Sequence, residues 1–377
     1  MYDVIVIGGG LAGLVSALEL ARSGFRVALI ERKTYPFHKV CGEYVSNEVR
    51  DYVRTLGVDL PGLGAADVRR FWFTSPSGRS LRAPLDLGGF GISRYRLDNE
   101  FYQLGQTAGV AFFTGKSVEE TSFSDNEHHV RLSDGQTLTA RLVIGAYGKR
   151  SRLDKTLDRH FLQRPSPYVG VKYHIRTDAP DDEVALHNFR QGYCGLSAIE
   201  DGKFCLCYLT TRENVRQYGN LPDMERALMF RNPHLRQIYE NSEFLYDKPE
   251  VINEISFAPK QAVEQHLLMA GDSAGLITPL CGNGMAMAIH GARLVSGLAT
   301  RFLRSELSRP ELERRYQSEW SRLFARRLWV GRTVQKLFGD EWLSELAVTT
   351  LRLFRPALRG IMRQTHGEVI LNDRMIE

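Results

Sequence analysis

The feature that most constrains this chain is the triplet Gly8-x-Gly10-x-x-Gly13, set between a strand-like run and a helix-like run. Residues 2–7 are β-branched and apolar on both faces, which predicts a central parallel strand covered on both sides. From Leu11 to Arg22 the residues Leu14, Leu18 and Leu20 recur at helical spacing, and Gly24 stands where a left-handed C-cap is usual. Phe25 to Ile30 reads as a second buried strand that ends at Glu31. In such a βαβ unit Gly8 permits a tight turn, Gly10 lets the backbone approach a pyrophosphate on the helix N-terminus, and Gly13 lets helix and strand pack closely. Glu31 can accept both hydroxyl protons of an adenosine ribose, and Arg32 beside it is a further candidate contact.

A second glycine-acid site decides which dinucleotide is bound. Residues 266–272 read as a last parallel strand ending at Gly271-Asp272, and Pro279-Leu280-Cys281-Gly282-Asn283-Gly284 then opens a helix over about 284–303. Asp272 can hold the ribityl or phosphate-linked hydroxyls of a flavin, while the helix N-terminus stabilises negative charge at the pyrimidine edge of the isoalloxazine. A nicotinamide-only enzyme has no use for this second site, so the expected cofactor is FAD. The expected FAD-binding residues are Gly8, Gly10, Gly13, Glu31, Arg32, Arg94, Gly271, Asp272, Pro279, Gly282, Asn283 and Gly284.

Between these sites the period of the pattern changes. Residues 68–84 form two alternating runs around Ser75-Pro76-Ser77-Gly78, a hairpin signal, and residues 168–210 alternate again around a turn at Asp201-Gly202. A helix over about 95–108, short strands over 110–132 and a buried strand over 138–146 lie between them. Helices over 211–241 and strands over 245–258 follow, and residues 308–366 are mostly helical. The expected fold is α/β, a doubly wound Rossmann-like FAD domain with an interleaved antiparallel-sheet substrate domain and a helical C-terminal region. The expected division is 1–67, 89–165 and 259–305 for the FAD domain, 68–88 and 166–258 for the substrate domain, and 306–377 for the helical region.

Charge and cysteine usage narrow the function. The formal charge of +5 sits in residues 300–377, where 15 Lys and Arg face 10 Asp and Glu. A basic excess confined to one tail and interleaved with acids argues against nucleic-acid binding. The tail combines Trp320, Phe324, Trp329, Phe338, Trp342 and Phe354 with Arg322, Arg326, Arg327, Arg332 and Arg355, a pattern for helices packed on the FAD domain, with peripheral membrane contact as the alternative. No apolar run reaches the ~18 residues of a membrane span, and Met1-Tyr2-Asp3-Val4 lacks a basic leader. Five cysteines without CxxC spacing read as reduced thiols of a cytoplasmic enzyme. The ten histidines lack metal-ligand spacing, so no metal is expected.

The N-terminal fingerprint, Ile92-Ser93-Arg94 before a helix carrying Asp98, and Gly271-Asp272 with Pro279, Gly282 and Gly284 together resemble the FAD-dependent aromatic-hydroxylase and geranylgeranyl-reductase superfamily. The resemblance covers about the first 300 residues and implies a flavin fold with an antiparallel sheet over the substrate. Lys39-Val40-Cys41-Gly42-Glu43 is similar to the cysteine segment of the reductase branch, which lies near flavin and substrate. It implies Cys41 and Glu43 as catalytic candidates. Cys281, in the loop whose helix points at the pyrimidine edge, is a third, expected near the isoalloxazine from another part of the chain, where it could form a redox pair with Cys41. Two departures matter. The hydroxylases carry Asp-Gly after the strand at 141–146, where this chain has Tyr147-Gly148, which predicts slow direct reduction by NADPH. The halogenase Trp-x-Trp-x-Ile-Pro signature is absent, and the Tyr-x-Trp-x-Phe-Pro anchor of prenyl reductases is replaced by Tyr193-Cys194-Gly195-Leu196-Ser197.

The expected function is therefore FAD-dependent oxidation, foremost a monooxygenase in which reduced flavin and O₂ hydroxylate an apolar aromatic or lipid-like molecule. Reduction of C=C bonds in a prenyl or lipid chain and a non-catalytic flavin sensor are the alternatives. The expected partners are an apolar small molecule and, as electron donor, NAD(P)H or a separate reductase.

Overall fold

The computed structural model describes residues 1–163, 166–278, 282–337 and 341–353, together with 360, 367, 369 and 370. β1 (Tyr2–Ile7), α1 (Leu11–Arg22), β2 (Val27–Glu31), β3 (Tyr44–Ser46) and α2 (Arg50–Thr55) lead into a hairpin of β4 (Ala66–Thr74) and β5 (Ser80–Gly91). Next come α3 (Arg94–Thr107), β6 (Ala111–Thr114), β7 (Val118–Ser124), β8 (Glu127–Leu132), β9 (Thr137–Gly145) and the short α4 (Leu153–Thr156). The chain continues through β10 (Tyr168–Arg176), β11 (Glu183–Phe189), β12 (Gly192–Ala198) and β13 (Phe204–Thr211) to α5 (Arg212–Tyr218), α6 (Leu221–Leu228) and α7 (Pro233–Asn241). β14 (Glu243–Phe244), β15 (Glu250–Asn253), β16 (Val263–Glu264) and β17 (Leu267–Met269) precede the long helices α8 (Gly284–Leu303), α9 (Arg309–Leu337) and α10 (Glu341–Leu353).

Two sheets divide these strands. In the first, the order β16-β17-β9-β1-β2-β6 is parallel from β17 to β6, with β8 and β7 appended antiparallel to β9. The apolar runs of β1 and β2 are buried throughout because α1 and the other helices cover this sheet, as parallel strands require. The second sheet has the order β14-β10-β13-β12-β11-β4-β5-β3, with β15 also on β10. It is antiparallel except that β4 and β11 run parallel, joining two segments far apart in sequence. The alternation of β10 to β13 sends Tyr173, Leu206, Tyr208 and Leu196 to one face, packed on Met224, Leu228 and Leu235 of the helices α6 and α7.

Within the second sheet β5 comes close to the end of β12 at Gly91, where a Cβ would stand 1.8 Å from the carbonyl oxygen of Ala198. Of the strands expected over 245–258, β15 lies inside that range, and the two-residue β14 lies just before it. In the tail, Tyr316, Trp320 and Phe324 of α9 are buried, and the Tyr316 hydroxyl donates to the Met269 carbonyl at 2.5 Å. Trp329 and Trp342 remain exposed, and Phe338, Phe354 and Arg355 lie outside the described residues. Among the described residues, no helix is long and apolar enough to cross a membrane.

Candidate cofactor and active site

The glycine turn between β1 and α1 is built by three different constraints. Gly8 has φ 103° and a Cβ there would meet the Ala146 carbonyl at 2.5 Å, so only glycine turns the chain beneath β9. A Cβ on Gly13 would lie 1.9 Å from the Gly8 carbonyl, which fixes the approach of helix to strand. Above Gly10 the space is open: a Cβ would meet only Arg94 Nη2 at 3.6 Å and Lys39 Nζ at 3.8 Å. No side chain caps α1 at Gly10. A helix N-terminus flanked by two cations and roofed by nothing else fits a pyrophosphate.

Glu31 closes the same turn. Its Oε2 accepts the Gly9 amide at 2.8 Å and its Oε1 the Lys33 amide at 3.1 Å, which leaves acceptor capacity on both oxygens for a ribose diol. Arg32, one residue on, is exposed. Arg94 opens α3 and is held by Asp98 through a fork of 2.7 and 2.8 Å, while Lys39 Nζ donates to Asp98 at 2.9 Å and to the Gly9 carbonyl at 3.1 Å. Burial opposes the charge of Arg94, yet Asp98 raises its proton affinity above the ordinary arginine value, so the cation is permanent. Gly271, at φ 61°, packs against Ala12 of α1, which brings the Asp272 segment to the α1 N-terminus. Lys260 Nζ ties that segment down, donating to the carbonyls of Asp272 at 2.8 Å and Lys149 at 2.9 Å, and its burial lowers it to about 8. Gly282 packs under the Tyr44 ring, Asn283 donates to Glu48 at 3.5 Å and Gly284 begins α8. Pro279 and Cys281 lie outside the described residues, as does any pairing of Cys281 with Cys41.

The loop carrying Cys41 and Glu43 lies on β10 and β13. Glu43, fully buried and at φ 55°, accepts from the Arg94 amide at 2.8 Å, Lys172 Nζ at 2.5 Å and His174 Nε2 at 2.6 Å. Burial alone would raise its pKa, but the Lys172 ammonium and His174 hold it down at about 2. The Cys205 thiol donates to the Cys41 carbonyl at 3.2 Å, and burial pushes the neighbouring Cys207 thiol up to about 12. Glu43, His174 and Cys205 bring ligand-type atoms within 4.8 Å of one another. The Lys172 ammonium already occupies Glu43 Oε1, and the Cys205 thiol is held protonated by burial, so this grouping is a hydrogen-bonded ion pair rather than a cation site. His38, which as a loop histidine reads as solvated in sequence, is half-buried and bonded to Tyr246 at 3.0 Å.

Lys172, His174 and Tyr246 are the polar residues around Glu43 that motif reading missed. The signal for the first two was present: Lys172 and His174 are polar residues two apart in an otherwise apolar strand, so they share one face. Tyr147 likewise finds an acid, since its hydroxyl donates to Asp154 at 3.0 Å, and Asp154 is fully buried against Arg159.

Further along the same sheet face the lining becomes apolar. Phe73, Leu186, Tyr193 and Leu209 pack with Leu276, four residues beyond Asp272, and with Val348 of α10. Gly195 lies in this face, paired with Cys207 and Leu186, and a Cβ there would touch only backbone carbonyls at 3.6 and 3.9 Å.

The family model described as FAD binding domain matches residues 1–327. The chain belongs to that FAD-binding family. With FAD as its cofactor this flavoprotein is an FAD-dependent oxidoreductase. It is similar to the ubiquinone hydroxylase UbiM of Neisseria meningitidis, 30% identical over 329 residues, covering 78% of this chain and 68% of that one. It is also similar to digeranylgeranylglycerophospholipid reductase 2 of Methanopyrus kandleri, 23% identical over 400 residues, covering 98% and 94%. In fold it matches the flavin-dependent brominase Bmp2 with a TM-score of 0.79 at 15% identity, over 97% of this chain and 93% of the other.

Proposed function

We propose that this flavoprotein is a monooxygenase that hydroxylates an apolar aromatic or lipid-like small molecule held against the second sheet. The observation that supports the reading is the buried apolar cluster of Phe73, Leu186, Tyr193 and Leu209, which packs on Leu276 just beyond Asp272 and has a glycine, Gly195, in the same face. In this reading Gly8, Gly10, Gly13 and Arg94 hold the pyrophosphate, Glu31 the adenosine ribose, and Asp272 with the start of α8 the flavin half. The flavin supplies the redox chemistry, and the protein supplies position, a water-poor chamber and a cation-rich cradle. The electron donor is a separate reductase rather than NADPH alone, because Tyr147, whose hydroxyl is engaged by Asp154, stands where the hydroxylases carry the acid of an Asp-Gly pair.

The resemblance of the Cys41–Glu43 segment to the reductase branch and the likeness to the archaeal lipid reductase favour a second reading, saturation of C=C bonds in a prenyl chain. Incubation of the reduced holoenzyme with quinone, phenolic and prenyl-lipid substrates, with and without O₂, separates the two by mass spectrometry. A product heavier by one oxygen, formed only with O₂, is expected. A product heavier by two hydrogens, formed without O₂, selects the reductase instead.

A further inference from the structure

The Cys41–Glu43 loop and β10 make one set of hydrogen bonds that neither cofactor holding nor chamber lining requires. His174 Nε2 lies 2.6 Å from Glu43 Oε2, His174 Nδ1 lies 2.9 Å from the Tyr246 hydroxyl, and that hydroxyl lies 3.0 Å from His38 Nδ1. For a neutral His174, counting donors orients every bond. Glu43 is ionised and can only accept, so His174 Nε2 carries its hydrogen. A neutral His174 then presents Nδ1 as acceptor, the Tyr246 hydroxyl donates to it, and the Tyr246 oxygen accepts from His38 Nδ1. Burial follows the same line. Glu43 is fully buried, His174 is 3% exposed, and Tyr246 and His38 are half-buried. His38 stacks at 4.7 Å on Tyr95, which is 39% exposed.

We propose that His38, Tyr246 and His174 form a proton relay from the surface, which loads His174 when flavin chemistry places negative charge in the neighbouring chamber and unloads it when that charge leaves. The proposal rests on the reading that the chamber hosts the flavin reaction. A solvent proton binds His38 Nε2, the Nδ1 proton passes to the Tyr246 oxygen, and the Tyr246 proton passes to His174 Nδ1. One proton enters, and one imidazolium results, paired with the Glu43 carboxylate. Only N–H and O–H bonds change. Burial, with the Lys172 charge, lowers His38 to about 4, so it stays neutral between transfers, as a relay group must.

His174 is faced by Glu43 and His38 from the loop, Tyr246 beyond β14, Cys205 on β13 and Lys172 on its own strand. His38 is faced by the same Lys172 and Glu43, by Lys203 and by Tyr95 of α3. Gly170 pairs with Leu209 at the chamber edge and His174 lies four residues along β10, about 13 Å away at ~3.3 Å per residue. At an effective dielectric of ~20 a unit charge at that distance changes proton affinity about tenfold.

Histidine ¹⁵N NMR of the oxidised and dithionite-reduced holoprotein tests the arrangement without substrate. Hydrogen is expected on His174 Nε2 and His38 Nδ1, with the His174 Nδ1 signal moving toward its protonated position on reduction. Hydrogen on His174 Nδ1 before reduction, or an Nδ1 signal that reduction does not move, overturns the proposal. Tyr246→Phe should keep flavin content and melting temperature. It should slow indicator-monitored proton uptake after rapid reduction at least tenfold, with recovery on adding imidazole. Uptake at the wild-type rate, or slowing that imidazole does not relieve, overturns the relay. Failure of every candidate substrate to react would end the functional reading but leave these two measurements decisive.

Discussion

At Gly10 the protein's own atoms leave room for a Cβ, with Arg94 and Lys39 at 3.6 and 3.8 Å, so a side chain there would compete with the pyrophosphate of the proposed reading and not with the fold. Gly10→Val should leave the protein folded and colourless, and a yellow variant with stoichiometric FAD after gel filtration would remove the glycine turn from the site. Asp272→Ala should weaken FAD by one charged hydrogen bond, ~1.5–3 kcal/mol or roughly 10- to 150-fold, read by fluorescence titration of the apoprotein. The glycines, Glu31 and Asp272 were legible in the sequence because each sits inside a local strand-turn-helix context that states its use. His174 and Tyr246 were not, because their partners are 131 and 72 residues away and only the packing of the loop on β10 unites them.

Among the elements, β5 and β12 carry the tightest demands. Gly91→Ala forces a methyl into the Ala198 carbonyl, and overpacking against backbone should cost ~1–3 kcal/mol or more, visible as a melting temperature lowered by several degrees. Gly195→Phe on β12 should do the reverse, keeping fold and FAD but filling the chamber, so that substrate-stimulated turnover falls while flavin content holds. Unchanged turnover in that variant would place the substrate elsewhere. The strands themselves were readable from their period of two. The parallel contact of β4 with β11 was not, since nothing local in 66–74 specifies a partner in 183–189. The stretch after α7 reads as strands in the sequence and forms two short ones, whose ends the pattern does not fix because each has only two to four residues.

Acid should unfold the molecule early. His128 and His187 are fully buried, and burial lowers each from 6.5 to about 3. His187 meets Thr74 at 2.9 Å, but its Nε2, like both ring nitrogens of His128, has no partner among the described residues. The unfolded chain binds these protons at about pH 6.5 and the folded chain only near pH 3, so stability is complete above the first value and is lost as pH falls between them. The loss is on the order of 2 kcal/mol for each histidine at about pH 5. Glu43 adds a further loss below about pH 4.5, since its folded value is the lower one. Urea unfolding at pH 7.5 and 5.0 should give a marked drop that His128→Phe reduces, and equal midpoints would contradict it.

The ion pair between Glu43 and Lys172 also limits how freely the two sheets can be exchanged among relatives. A chimaera that takes the second sheet from another flavoprotein, without a cation at position 172, would strand a carboxylate in a dry interior, at a cost of several kcal/mol. Modularity in this architecture therefore has a lock, and whoever grafts a new substrate sheet onto this flavin cradle must transplant the loop from His38 to Glu43 along with it.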